Sequence, residues 1–179
     1  MRINDNYFIG ITLPPELENT IERQREWMRR KWGCRSGMRT QPHITLIPPF
    51  QSELTIEEIR KLLSPLSVSP FDISVSGFGA FGERTIFAHV ERSRELENLQ
   101  KKVSGLLRDG GVRVKDEKRF TPHITIANRD IKPDSFIPSM EYFSNIELRY
   151  SFKADSVMVF EFSDYVWQSG NRGSVRFSF

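Results

Sequence analysis

Pro42-His43-Ile44-Thr45-Leu46-Ile47-Pro48-Pro49-Phe50 and, 80 residues further on, Phe120-Thr121-Pro122-His123-Ile124-Thr125-Ile126-Ala127 decide how this chain is read. Both contain the run proline, histidine, isoleucine, threonine, followed by another apolar residue. Side chains alternate between the two faces of a strand, so His43 and Thr45 point one way and Ile44 and Leu46 the other. The same holds for His123 and Thr125 against Ile124 and Ile126. Each segment thus offers the core an apolar face and presents an imidazole and a hydroxyl on its other face. Packing alone does not require a histidine and a threonine in the same register twice.

The surroundings repeat as well. Tyr7 to Leu13 is a short β-branched and aromatic run, read as a strand. Pro14-Pro15 ends it and suits the first turn of a helix, whose Leu17, Ile21, Met28 and Trp32 recur near helical spacing down to Gly33. Later, Thr85 to Val90 reads as a strand, and Ser93 can cap a helix carrying Leu96, Leu99, Val103, Leu106 and Leu107 until Gly110-Gly111. Strand, helix, loop and PHIT strand therefore occur twice. Between the two sets, Thr55-Ile56-Glu57-Glu58 has the pattern of a capping box, and Phe71 to Phe78 reads as a strand bent at Gly77 and Gly79. Ile146 to Phe152, Asp155 to Phe162 and Ser174 to Phe179 are strand-like. The architecture expected is α+β: one domain over residues 1–179, made of two pseudo-symmetric lobes. Two antiparallel sheets related by a pseudo-twofold would carry helices on their outer faces and a cleft between them, each lobe supplying one His-x-Thr pair.

Composition narrows the class. Of 179 residues, 38% are hydrophobic and 27% charged, as in a folded globular protein, and no run approaches the length of a membrane helix. The N-terminus lacks a signal-peptide layout, and a lone cysteine, Cys34, permits no internal disulfide and no cysteine zinc cluster; a monomer in the cytoplasm is the expectation. The net charge of +3 is compatible with an anionic substrate. Basic residues crowd between Arg23 and Arg39, with Trp27 and Trp32 among them, which fits either a nucleic-acid contact or a solvated helix face with two indoles in the core.

Two imidazoles and two hydroxyls converging in a cleft fit phosphoryl chemistry. Histidine titrates near neutrality, so a neutral ring can take a proton from water while a protonated one gives a proton away. Threonine hydroxyls can donate to non-bridging phosphate oxygens and hold the group in line. The motifs contain no carboxylate, and two histidines are fewer ligands than catalytic zinc usually takes from a protein, so no metal or other cofactor is expected.

At these residues the sequence resembles the 2H phosphoesterase superfamily, in its 2′,5′ RNA ligase-like branch of RNA 2′,3′-cyclic phosphodiesterases. His43-Ile44-Thr45-Leu46 and His123-Ile124-Thr125-Ile126 are similar to that family's paired motifs, as are the prolines after the first and the F-x-P-H-x-T-x-A form of the second. The resemblance implies hydrolysis of a 2′,3′-cyclic phosphate, on RNA ends or on nucleotides, to a 2′-phosphate, with 2′,5′ ligation as the reverse reaction in some members. It makes His43 and His123 the acid and base, with His43 taken as the acid, and gives Thr45 and Thr125 the phosphate. Many members place arginine directly after the alanine of the second motif, whereas here Asn128 precedes Arg129.

Arg39 and Arg129 are candidate phosphate clamps, and Phe50 and Phe81 candidate base-stacking rings. His89 has glutamate two positions on, not a hydroxyl, and is read as structural. Cys34 has no imidazole partner in its vicinity and is not read as a nucleophile. Two other functions fit the same residues: a phosphodiesterase for a small non-RNA cyclic phosphate, and an RNA-binding module without catalysis.

Overall fold

A computed structural model describes residues 6–115, 120–163, 165–169 and 173–178. Its strands are β1 (Tyr7–Thr12), β2 (His43–Phe50), β3 (Phe71–Phe81), β4 (Thr85–Val90), β5 (His123–Asn128), β6 (Arg149–Ala154), β7 (Ser156–Ser163), β8 (Val166–Gln168) and β9 (Ser174–Arg176). The helices are α1 (Pro15–Trp32), α2 (Ile56–Leu63), α3 (Arg94–Asp109) and α4 (Pro133–Ser144), with a 3-10 turn over Ser36–Arg39. The class is α+β, as expected.

Hydrogen bonding orders the strands β6-β3-β4-β5-β2-β1-β7-β8, with β9 also on β7. Within each half the ladders are long: β4 meets β5 from Thr85 opposite Asn128 to His89 opposite His123, and β1 meets β2 out to Thr12 opposite His43. The halves join through β2 and β5, and that antiparallel seam contains one paired position, Ile44 opposite Ile124. The two sheets expected side by side are thus stitched together at the motif strands.

Local sequence explains the elements around the seam. Pro15 opens α1, and Gly33, at a φ of 78°, closes it with its N–H on the Arg29 carbonyl. The Thr55–Glu58 capping box is formed on α2, and the Ser93 hydroxyl accepts from the Leu96 N–H at the start of α3. α1 packs on β5, and α3 packs on β2. Each therefore covers the motif strand of the opposite half. Leu17, Ile21 and Met28 of α1 and Leu99 and Val103 of α3 share one core with Ile44 and Ile124, all of them fully buried. This leaves the opposite face of the motif strands for His43, Thr45, His123 and Thr125, all partly exposed.

Some boundaries differ from the sequence reading. β3 runs on to Phe81, with a positive φ of 65° at Gly77 where the ladder to β4 slips. The final strand stops at Arg176, and Phe179 lies outside the described residues. β8 and α4 have no counterpart in the sequence reading. In α4, Pro133 occupies the first turn and Pro138 the interior. The missing Pro138 N–H would have bonded the Asp134 carbonyl, so α4 gives up one intrahelical hydrogen bond there.

Candidate active site

Both histidines open their strands after a proline, and both are fixed in the same manner. The Nδ1–H of His43 donates to the Gln41 carbonyl at 2.8 Å, and that of His123 to the Thr121 carbonyl at 2.9 Å. A carbonyl only accepts, so Nδ1 must hold the hydrogen. Nε2 on each ring is left for a substrate, with a lone pair when neutral and a proton when charged.

The seam brings the two motifs together. Since Ile44 lies opposite Ile124 in an antiparallel pair, one step along β2 matches one step back along β5. His43 then faces Thr125 and Thr45 faces His123, two imidazoles and two hydroxyls alternating on a single patch.

Aromatic rings wall in each imidazole. Phe8 and Phe160 lie 4.6 and 5.2 Å from His43, while Phe81 and Phe87 lie 5.0 and 5.4 Å from His123. Trp167 of β8 meets Phe8 edge-on at 4.9 Å. Desolvation among these rings brings the His43 pKa down to about 4, with the nearby charges of Arg25 and His123 adding to the effect and the Gln41 carbonyl opposing it. Burial likewise holds His123 below its ordinary value, against the Thr121 carbonyl. Both rings are therefore neutral at pH 7.

Close packing beneath the patch requires glycine at two positions. A β-carbon on Gly10 would lie 2.7 Å from the Ile44 carbonyl oxygen and 3.4 Å from the His43 ring, and one on Gly37 would lie 2.2 Å from the Ile126 carbonyl oxygen.

The other sequence candidates divide. Phe81 stands beside His123 with 41% of its surface exposed, a ring available for stacking. Phe50 is 3% exposed and packs toward Tyr7 in the core, which does not favour the stacking role expected for it. β5 ends at Asn128, so Arg129 does not continue the alternation; it is exposed, at a φ of 69°, with its N–H on the Arg84 carbonyl. Arg39 is exposed on the 3-10 turn. His89, read as structural, is exposed directly across the ladder from His123.

Part of the basic segment resolves into packing and ion pairs, while Lys31, Arg35 and Arg39 are exposed. Trp27 stacks on Tyr142 at 3.7 Å, and Glu26 binds both Arg29 and Arg30 at 2.6 Å. Cys34 is buried, with its thiol pushed up to about 11 by desolvation first and by Asp130 second. Sequence reasoning passed over Phe8, Phe87 and Phe160, whose alternation signals a strand but not a neighbour, and Arg25, which resembles any other charge on an amphipathic helix. Among the described residues, no three of His, Cys, Asp and Glu are grouped as metal ligands, and no helix is long and apolar enough to cross a membrane.

This fold and paired-motif patch define a class, and comparison with known proteins agrees. Residues 13–165 match the family described as the 2′-5′ RNA ligase superfamily, and the chain belongs to it. A Geobacillus stearothermophilus protein named RNA 2′,3′-cyclic phosphodiesterase is 28% identical over 134 residues; the match covers 69% of this chain and 42% of that protein. The matched region thus spans less than half the length of that relative. Among solved structures, TT0787 of Thermus thermophilus superposes with a TM-score of 0.70 at 18% identity, covering 97% of this chain and 100% of the other. E. coli LigT complexed with 3′-AMP gives 0.68 at 17% identity, over 98% and 99% of the two chains. These structures share the fold.

Proposed function

We propose that this protein is a metal-independent phosphodiesterase that opens a 2′,3′-cyclic phosphate, at an RNA end or on a nucleotide, to a 2′-phosphate. The observation carrying this reading is the seam register, which sets each motif's histidine against the other's threonine. The superfamily and the name of the Geobacillus relative support the reaction class.

In the proposed reaction, Thr45 and Thr125 donate to the non-bridging oxygens. The neutral histidine takes a proton from water through Nε2 while the water oxygen bonds to phosphorus. The P–O3′ bond breaks, and the protonated histidine delivers its proton to the departing 3′ oxygen. Each turnover exchanges the two imidazoles' protonation states, and proton exchange with solvent resets them. His43, held down chiefly by burial and further by the charge of Arg25, is the harder ring to protonate, so we assign it as base and His123 as acid, the reverse of the assignment made from sequence. With each Nδ1 committed to a carbonyl, the motifs offer two Nε2 lone pairs and no carboxylate, a set better suited to proton transfer than to holding a metal. Exposed Phe81 would carry the terminal base, and the exposed Arg39 and Arg129 would meet phosphates. A cytoplasmic monomer is part of the same reading.

The test is EDTA-treated protein with an RNA oligomer ending in a 2′,3′-cyclic phosphate, the 2′- and 3′-phosphate products being resolved. Conversion to the 2′-phosphate, abolished by His43→Ala and by His123→Ala, is expected. A folded protein that binds RNA without turning over the oligomer or a cyclic mononucleotide would refute it.

A further inference from the structure

The seam holding the two motifs has only one paired position, yet the chemistry proposed above needs it set to within a fraction of an ångström. A buried side chain from outside both motifs strengthens it. Arg25, on the inner face of α1, is 2% exposed. Its Nε and Nη2 both donate to the Thr125 carbonyl, at 3.0 and 2.9 Å. Its Nη1 donates to the Thr40 carbonyl at 2.8 Å and to the Glu22 carboxylate at 3.2 Å. Thr125 belongs to the second motif, and Thr40 lies three residues before His43. One guanidinium therefore ties the second motif strand to the segment that leads into the first.

The surroundings are shaped to this side chain. The Ser36–Arg39 turn closes over it, and a β-carbon on Gly37 would lie 3.5 Å from Nε. Glu22, partly exposed, pairs with the buried guanidinium, and the Glu18 carboxylate also acts on it.

We propose that Arg25 is the positioning residue of this active site, fixing the His43/Thr125 alignment across the seam and contributing a buried positive charge to phosphate binding. It touches neither substrate nor reacting atoms. The proposal rests on the phosphodiesterase reading for its kinetic test but not for its spectroscopic one.

Arg25→Met keeps most of the volume and removes the charge and every donor. Arg25→Lys keeps the charge and loses the planar fork that reaches two carbonyls at once. In Arg25→Met, kcat on the cyclic phosphate should fall about a hundredfold, the loss typical of a small misplacement. In Arg25→Lys most of that loss should persist. Glu22→Gln should be nearly silent.

The second readout is the His43 titration followed by NMR without substrate. The charged groups acting on that ring are Arg25 and His123; its other neighbours are Phe8, Phe160 and the Gln41 carbonyl. The midpoint should rise in Arg25→Met and stay near the parent's in Arg25→Lys. If the methionine variant does not fold, the lysine variant's kcat and midpoint decide the matter. Parent-like kcat in either folded variant, or a methionine variant whose midpoint is unmoved, would overturn the proposal. An inactive parent with the expected midpoint changes would count against the phosphodiesterase reading and leave Arg25's role standing.

Discussion

Phosphate binding should charge the active site. An imidazole held at about 4 instead of 6.5 is harder to protonate than one in water by roughly 3.4 kcal/mol, and at pH 7 only about one His43 ring in a thousand carries the second proton. The patch contains no carboxylate to offset that. A phosphate anion about 4 Å from the ring, at the effective dielectric of a partly buried site, interacts with an imidazolium by about 4 kcal/mol. That is enough to bring the pair to neutrality. The assay is NMR titration of the histidine ring protons, free and saturated with a nucleoside 2′-phosphate, alongside calorimetry of the same ligand in buffers of differing ionisation enthalpy. The free protein should show His43 titrating near 4; the complex should show one of the two histidines titrating above 6.5, with proton uptake on binding at pH 7. A free His43 titrating near 6.5, or ligand binding without proton uptake, would refute the reasoning.

The same depression has a sign in stability. Below about 6.5 an unfolded His43 binds a proton that the native ring refuses until about 4, so native stability should fall across that window; chemical denaturation at pH 7 and 4.5 should show a smaller loss for His43→Gln than for the parent. Gly10→Ala should lower stability by about 1–3 kcal/mol, through overpacking against the Ile44 carbonyl, and reduce turnover by more than the folded fraction accounts for; a melt and a rate on the same sample separate the two. Cys34, with its thiol at about 11, should resist alkylation by iodoacetamide at pH 8 until the chain is unfolded, as mass spectrometry would reveal.

The repeated PHIT segments were legible because their chemistry and their secondary structure share a period: two residues separate histidine from threonine, and two is the repeat of a strand. The α+β class followed from the same repetition. α4 was not legible, since Pro133 and Pro138 argue locally against the helix that packing on β3 sustains. Arg25 and the ring pairs around each histidine were hidden for another reason. Nothing within a few residues of Arg25 distinguishes it from Arg29, and only the tertiary placement of Thr125 and Thr40 makes one a staple and the other a surface charge. Phe50 is the opposite case, a residue next to a motif in sequence that packs in the core.

An antiparallel seam centred on Ile44 and Ile124 maps each motif onto the other by a half turn. Under the proposed reading, the four motif residues taken alone then have no preferred direction, and the asymmetry that makes His43 the base and His123 the acid comes from their surroundings. Whatever makes the enzyme choose one end of a phosphodiester over the other must come from the parts the half turn does not reproduce. These include the β8 tryptophan, packed edge-on against the Phe8 ring that flanks the first histidine, and the exposed Phe81 ring beside the second. Altering those two flanks, and leaving the four motif residues intact, is the route by which a chain of this kind would acquire a new substrate.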